Sequence, residues 1–98
     1  MTDNRIKQIA DANGMEVILN KLTEECGELV TAIARSQTTE FREDATPEQF
    51  DDDVVEEAVD VWLMVEQFRQ YNEFEFDLML ATKIDRQMQR MGKKNAKV

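Results

Sequence analysis

Two stretches of the chain repeat apolar residues at helical spacing, and the same acidic turn interrupts each at the same phase. The first is Met15, Ile18, Leu19, Leu22, Cys26, Leu29, Val30 and Ile33; the second is Phe50, Val54, Ala58, Val61, Trp62, Val65 and Phe68. This recurrence predicts two long amphipathic helices that turn those residues inward. The interrupting turns are Glu24-Glu25-Cys26-Gly27-Glu28 and Glu56-Glu57-Ala58-Val59-Asp60. Laying Leu22 on Val54 also pairs Glu25 with Glu57, Glu28 with Asp60, Leu29 with Val61 and Ile33 with Val65, which is an internal repeat. At about 100° per residue, Glu25 and Glu57 lie roughly 60° from Leu22 and Val54, on the border of the apolar stripe. Glu24 and Glu56 point about 160° away, towards solvent.

Clustered, part-buried carboxylates are costly, because desolvation and mutual repulsion both oppose ionisation. A divalent cation held between the two turns offsets that cost. The chain has no histidine and a single cysteine, Cys26, so a histidine-containing zinc site, a cysteine cluster, an internal disulfide and histidine-based catalysis are all excluded. Any metal must be held by oxygen, the chemistry that suits Mg²⁺. A formal charge of −9 opposes general affinity for a nucleic acid polymer or an anionic membrane. The opening residues read as no signal peptide, and no apolar run reaches membrane-spanning length, so a cytoplasmic protein is expected.

Two shorter helices complete an all-α, four-helix reading. Asp3 to Asn13 places Ile6, Ile9 and Ala10 on one side, and Asn13-Gly14 marks a stop. Ser36 to Thr46 loses periodicity and reads as a connection. Thr46-Pro47-Glu48-Gln49 then signals a helix start, running to about Tyr71. A last helix, from about Glu75 to Met91, turns Phe76, Leu80, Ile84, Met88 and Met91 inward and stops at Gly92, making residues 1–92 one domain and 93–98 a basic tail. Lys83, Arg86 and Arg90 fall along one edge of that helix. Beside an acidic metal cage, such an edge suits a polyphosphate, with the metal on some oxygens and the cations on others. Lys21, one turn before Glu25, is placed to reach a phosphate or to pair with the carboxylates.

Glu24-Glu25-Cys26-Gly27-Glu28, followed after a linker by Glu57-Ala58-Val59-Asp60, resembles the EExxE and ExxD motifs of the MazG-like all-α nucleoside triphosphate pyrophosphohydrolases. The flanking Lys21-Leu22-Thr23 and the later Lys83, Arg86-Gln87 and Arg90 are similar to that family's surrounding pattern, so the resemblance covers residues 19–90. It implies a four-helix MazG-like bundle completed by oligomerisation, as a homodimer or homotetramer. The implied activity is Mg²⁺-dependent hydrolysis of a nucleoside triphosphate to monophosphate and pyrophosphate. The implied Mg²⁺ ligands are Glu25, Glu28, Glu57 and Asp60, and Glu24 is the first candidate for general base. Lys21, Lys83, Arg86 and Arg90 are assigned to the phosphates. Val59 and Gln87 stand where many members have glycine and asparagine, so the motif identifies the chemistry more securely than the nucleobase. Phosphoribosyl-ATP hydrolysis and a non-catalytic acidic helical partner protein are the alternatives.

Overall fold

The computed structural model describes residues 3–37 and 47–96, which form three α-helices and no strand. α1 spans Asn4–Gln37, α2 spans Pro47–Tyr71 and α3 spans Glu73–Ala96. Asp3 caps α1, accepting the Arg5 amide at 2.9 Å and a bidentate contact from the Arg5 guanidinium. The hydrogen bond from that guanidinium holds the Asp3 carboxyl down at about 2. The break expected at Asn13-Gly14 is present, as a kink inside the α1 span. Only Gly14 leaves helical geometry, at φ 77° and ψ 161°, and helical turns resume directly after it. The expected first and second helices are therefore the two arms of α1, joined at Gly14. Thr46 and the connection at 38–46 lie outside the described residues.

α1 and α2 pack along one another through two matching seams. On α1 the line is Ile18, Leu22, Glu25, Leu29 and Ala32; on α2 it is Val54, Glu57, Val61, Met64 and Phe68, and all of these residues are buried or half-buried. Steps alternating between three and four residues keep each line on one side of its helix, as in a coiled-coil seam. Ala10, Ile18 and Met64 form the buried core, with Leu22 and Phe68 against it. Gly14 allows Ala10 and Ile18, on either side of the kink, to reach the same methionine. Two polar contacts fix that end. The Asn13 amide donates to Gln67 Oε1 at 2.7 Å, and the Tyr71 hydroxyl donates to the Ala10 carbonyl at 3.2 Å.

The seam corrects the inward faces expected above. Leu19, Cys26, Val30 and Ile33 on α1, and Ala58 and Trp62 on α2, are exposed, Val30 at 67% and Trp62 at 59%. Each long helix has more apolar residues than one neighbour can cover, and the face that meets its partner is the one bearing the glutamates. The expected last helix is corrected as well. It starts two residues earlier and passes through Gly92, which keeps a negative φ and so ends nothing. Leu80, Ile84, Met88 and Met91 are exposed rather than inward, because α3 does not lie back along the α1–α2 pair.

A clasp at the second turn sets the direction of α3. The Arg69 guanidinium donates to both carboxylate oxygens of Asp77, at 2.8 and 3.0 Å, reaches Glu66 at 3.5 Å, and lies 5.9 Å from the centre of the Phe76 ring. This planar fork matches a carboxylate bidentately, and its charge also favours an aromatic face. The hydrogen bond to Arg69 lowers the Asp77 carboxyl below its ordinary range. Asn72 breaks the helical run and its carbonyl accepts the Phe76 amide at 2.8 Å, opening α3. No helix among the described residues is long and apolar enough to cross a membrane.

Candidate metal centre

Glu25, Glu28 and Glu57 each bring a carboxylate oxygen to within 4.8 Å of the other two. The geometry follows from the seam. Glu25 and Glu57 occupy equivalent positions in the two lines, facing each other across the α1–α2 contact, and Glu28, one turn along α1, closes the group. Glu28 is exposed, while the two seam glutamates are half-buried, as their position on the border of the apolar stripe predicts. Their Oε2 atoms are buried and accept no hydrogen bond among the described residues. Buried polar atoms are nearly always satisfied, so two orphaned acceptors side by side mark a place where a cation or donor belongs.

Burial is the first cause that raises the Glu25 carboxyl above its ordinary value, followed by the charge of Glu28, a proton shared with Glu28, and the charges of Asp60 and Glu24. Glu57 is raised in the same order by burial, Glu28, the Glu28 hydrogen bond, Asp60 and Glu25. The donor set is wholly hard oxygen, which suits Mg²⁺. Asp60, half-buried on α2, contributes its charge to both glutamates while standing outside the closest trio.

A raised carboxylic acid makes the folded state hold protons that the unfolded chain has released, so stability falls as pH rises above the ordinary value of 4.5. The lowered groups Asp3 and Asp77 act below 3.8, outside that window. In chelator the melting temperature is expected to drop as pH is raised above 4.5. Mg²⁺, which binds ionised carboxylates, is expected to reverse the slope. At about 100 times its Kd the ion adds about 2.7 kcal/mol, roughly 10–20 °C for a domain this small. Thermal melts across pH, with and without Mg²⁺, measure both effects. An unchanged slope after Glu25→Gln and Glu57→Gln are combined would refute the assignment.

A cleft of about 650 Å³ opens beside the trio, lined by Glu24, Gly27, Glu28, Thr31, Ala32 and Arg35 of α1 and by Asp53 and Glu57 of α2. Glu24 is exposed at its rim, as its phase predicts. Lys21, Lys83, Arg86 and Arg90 are exposed and stand outside this lining; Lys83 instead borders an apolar hollow of about 390 Å³ formed with Phe68, Asn72, Phe76, Met79 and Leu80. Asp53 and Arg35 were not singled out from the sequence. Their phase was the available signal, since Asp53 is one turn before Glu57 and Arg35 two turns after Glu28. Comparison with known proteins finds no matching family model, no matching curated protein and no matching solved structure.

Proposed function

We propose that this chain is a Mg²⁺-dependent nucleoside triphosphate pyrophosphohydrolase of the MazG-like kind. The supporting observation is the pair of half-buried seam glutamates, Glu25 and Glu57, whose buried Oε2 atoms are unsatisfied, with exposed Glu28 beside them, because carboxylates crowded and partly withdrawn from water are stabilised in the ionised form by a cation. In this reading Glu25, Glu28 and Glu57 hold Mg²⁺, with Asp60 completing or orienting the set. When bound, the ion neutralises phosphate oxygens and lowers the pKa of a coordinated water. Glu24, at the cleft rim, takes the proton of the attacking water. Water oxygen bonds to one phosphorus of the α–β anhydride, the bridging P–O bond breaks, and monophosphate and pyrophosphate leave.

Oligomerisation belongs to the same proposal. The exposed apolar lines on all three helices, including Val30, Trp62 and Met88, form surface that a second copy covers, giving a homodimer or homotetramer. Lys83, Arg86 and Arg90 sit on the helix that leaves the cleft of its own chain, so they reach a triphosphate most directly in a neighbouring subunit. The test is pyrophosphate release from a panel of ribo- and deoxynucleoside triphosphates and phosphoribosyl-ATP, with Mg²⁺ and with chelator. Release that stops in chelator supports the reading and begins to name the base. No release from any compound removes it in favour of a binding role.

A further inference from the structure

Resting on the nucleotide reading above, we propose that Arg35 is a substrate-binding residue that takes a phosphate oxygen of the bound triphosphate. The cleft wall supplied by α1 runs Glu24, Gly27, Glu28, Thr31, Ala32, Arg35. Each is followed three or four residues on by another, Glu24 by Gly27 and Glu28, Glu28 by Thr31 and Ala32, and these by Arg35, so they form one continuous strip along the helix. Arg35 is seven residues beyond Glu28, which places it about 10.5 Å further along the axis and within about 20° of the same direction. Helical side chains lean towards the N-terminus. Arg35 accordingly lines the same cleft as Glu28 and Glu57.

The lining is mostly acidic, and because α1 and α2 run antiparallel, Asp53 lies on the Arg35 side of the trio. Glu24, Glu28, Asp53 and Glu57 are acidic, and Arg35 is the one cation among the described residues that line the cleft. A Cβ at Gly27, beside Glu28, would meet nothing within 4 Å, and Ala32, between Glu28 and Arg35, is small, which leaves room for an extended anion. The Thr31 hydroxyl donates to the Gly27 carbonyl at 3.0 Å, so its proton is already used inside the helix. Arg35 carries the one positive charge among the described residues of the wall, and a guanidinium, with five donors, can grip phosphate through two parallel N–H bonds. A triphosphate with one end on Mg²⁺ at the trio lies along the strip with another phosphate at Arg35. A cation at the end of α1 also complements the helix dipole, so the test must separate binding from stability.

Calorimetry on the full chain provides that separation, using three probes: Mg²⁺ alone, inorganic tripolyphosphate with Mg²⁺, and an α,β-imido nucleoside triphosphate with Mg²⁺. Arg35→Gln is expected to weaken both phosphate probes by about 10- to 100-fold, leaving Mg²⁺ affinity at the wild-type value. Arg35→Lys restores part of the loss, because charge returns without the fork. Tripolyphosphate affinity unchanged in Arg35→Gln overturns the assignment while leaving the nucleotide reading intact. An equal loss of Mg²⁺ affinity also overturns it, since the residue then acts on the metal centre. Wild-type protein that binds Mg²⁺ but neither phosphate probe overturns both.

Discussion

Glu57→Gln is expected to move activity and stability in opposite directions. Mg²⁺-dependent pyrophosphate release falls by more than about 100-fold, because even partners behind a metal ligand cost 10- to 100-fold when removed and Glu57 offers its oxygen directly. In chelator, however, the variant melts at a higher temperature than the wild type. Glutamine keeps the shape of the seam, removes one of the charges that oppose each other between Glu25, Glu28 and Glu57, and brings an amide that can donate to Glu28. Addition of Mg²⁺ reverses the order, since the wild type gains binding energy that the variant cannot. Pyrophosphate release and paired melts with and without chelator read all three effects. Loss of stability in both conditions would mean that Glu57 is a packing residue of the α1–α2 contact and would sink its role as a ligand.

That crossing of stabilities follows from where the seam runs, and the seam was only half legible in the sequence. The repeat that lays Leu22 on Val54 holds in the structure: Leu22 and Val54, Glu25 and Glu57, Leu29 and Val61 occupy equivalent places in the two lines. The side of each helix that meets the other did not follow from periodicity. α1 has Leu19, Cys26, Val30 and Ile33 on one flank and Ile18, Leu22, Leu29 and Ala32 on the other, and the average of so wide a stripe points between them. Glutamates at its border read as part-buried, which they are, but the pattern does not say that the partner helix lies on their side. α2 was read almost to the residue, from Pro47 to Tyr71, because proline and the break at Asn72 are local signals. α3 departs from its sequence pattern at Gly92 and along its apolar edge, since the direction of a helix after a turn depends on contacts such as Arg69 with Asp77 that no local pattern encodes.

Gly14→Ala is expected to lower stability by about 1–3 kcal/mol, or roughly 5–20 °C in melting temperature. At φ 77° and ψ 161° the residue occupies backbone space that is essentially reserved for glycine. A methyl group there would meet nothing within 4 Å, so the cost comes from the backbone and not from crowding. The variant has two ways to respond. It can keep the kink and hold alanine in a strained conformation, or it can straighten α1 and give up the Asn13–Gln67 and Tyr71–Ala10 hydrogen bonds. Either route weakens the end of the seam at Ala10, Ile18 and Met64, while the line from Leu22 to Ala32 is unchanged. Mg²⁺ affinity of the folded variant should therefore equal that of the wild type. Gly92→Ala is the control: its glycine is helical and also faces open space, so replacement should raise stability by up to about 1 kcal/mol. Chelator melts of the two variants decide the matter. Equal gains at both positions would show that α1 runs straight through Gly14 in solution, and the packing of Ala10 and Ile18 on one methionine would then need another explanation.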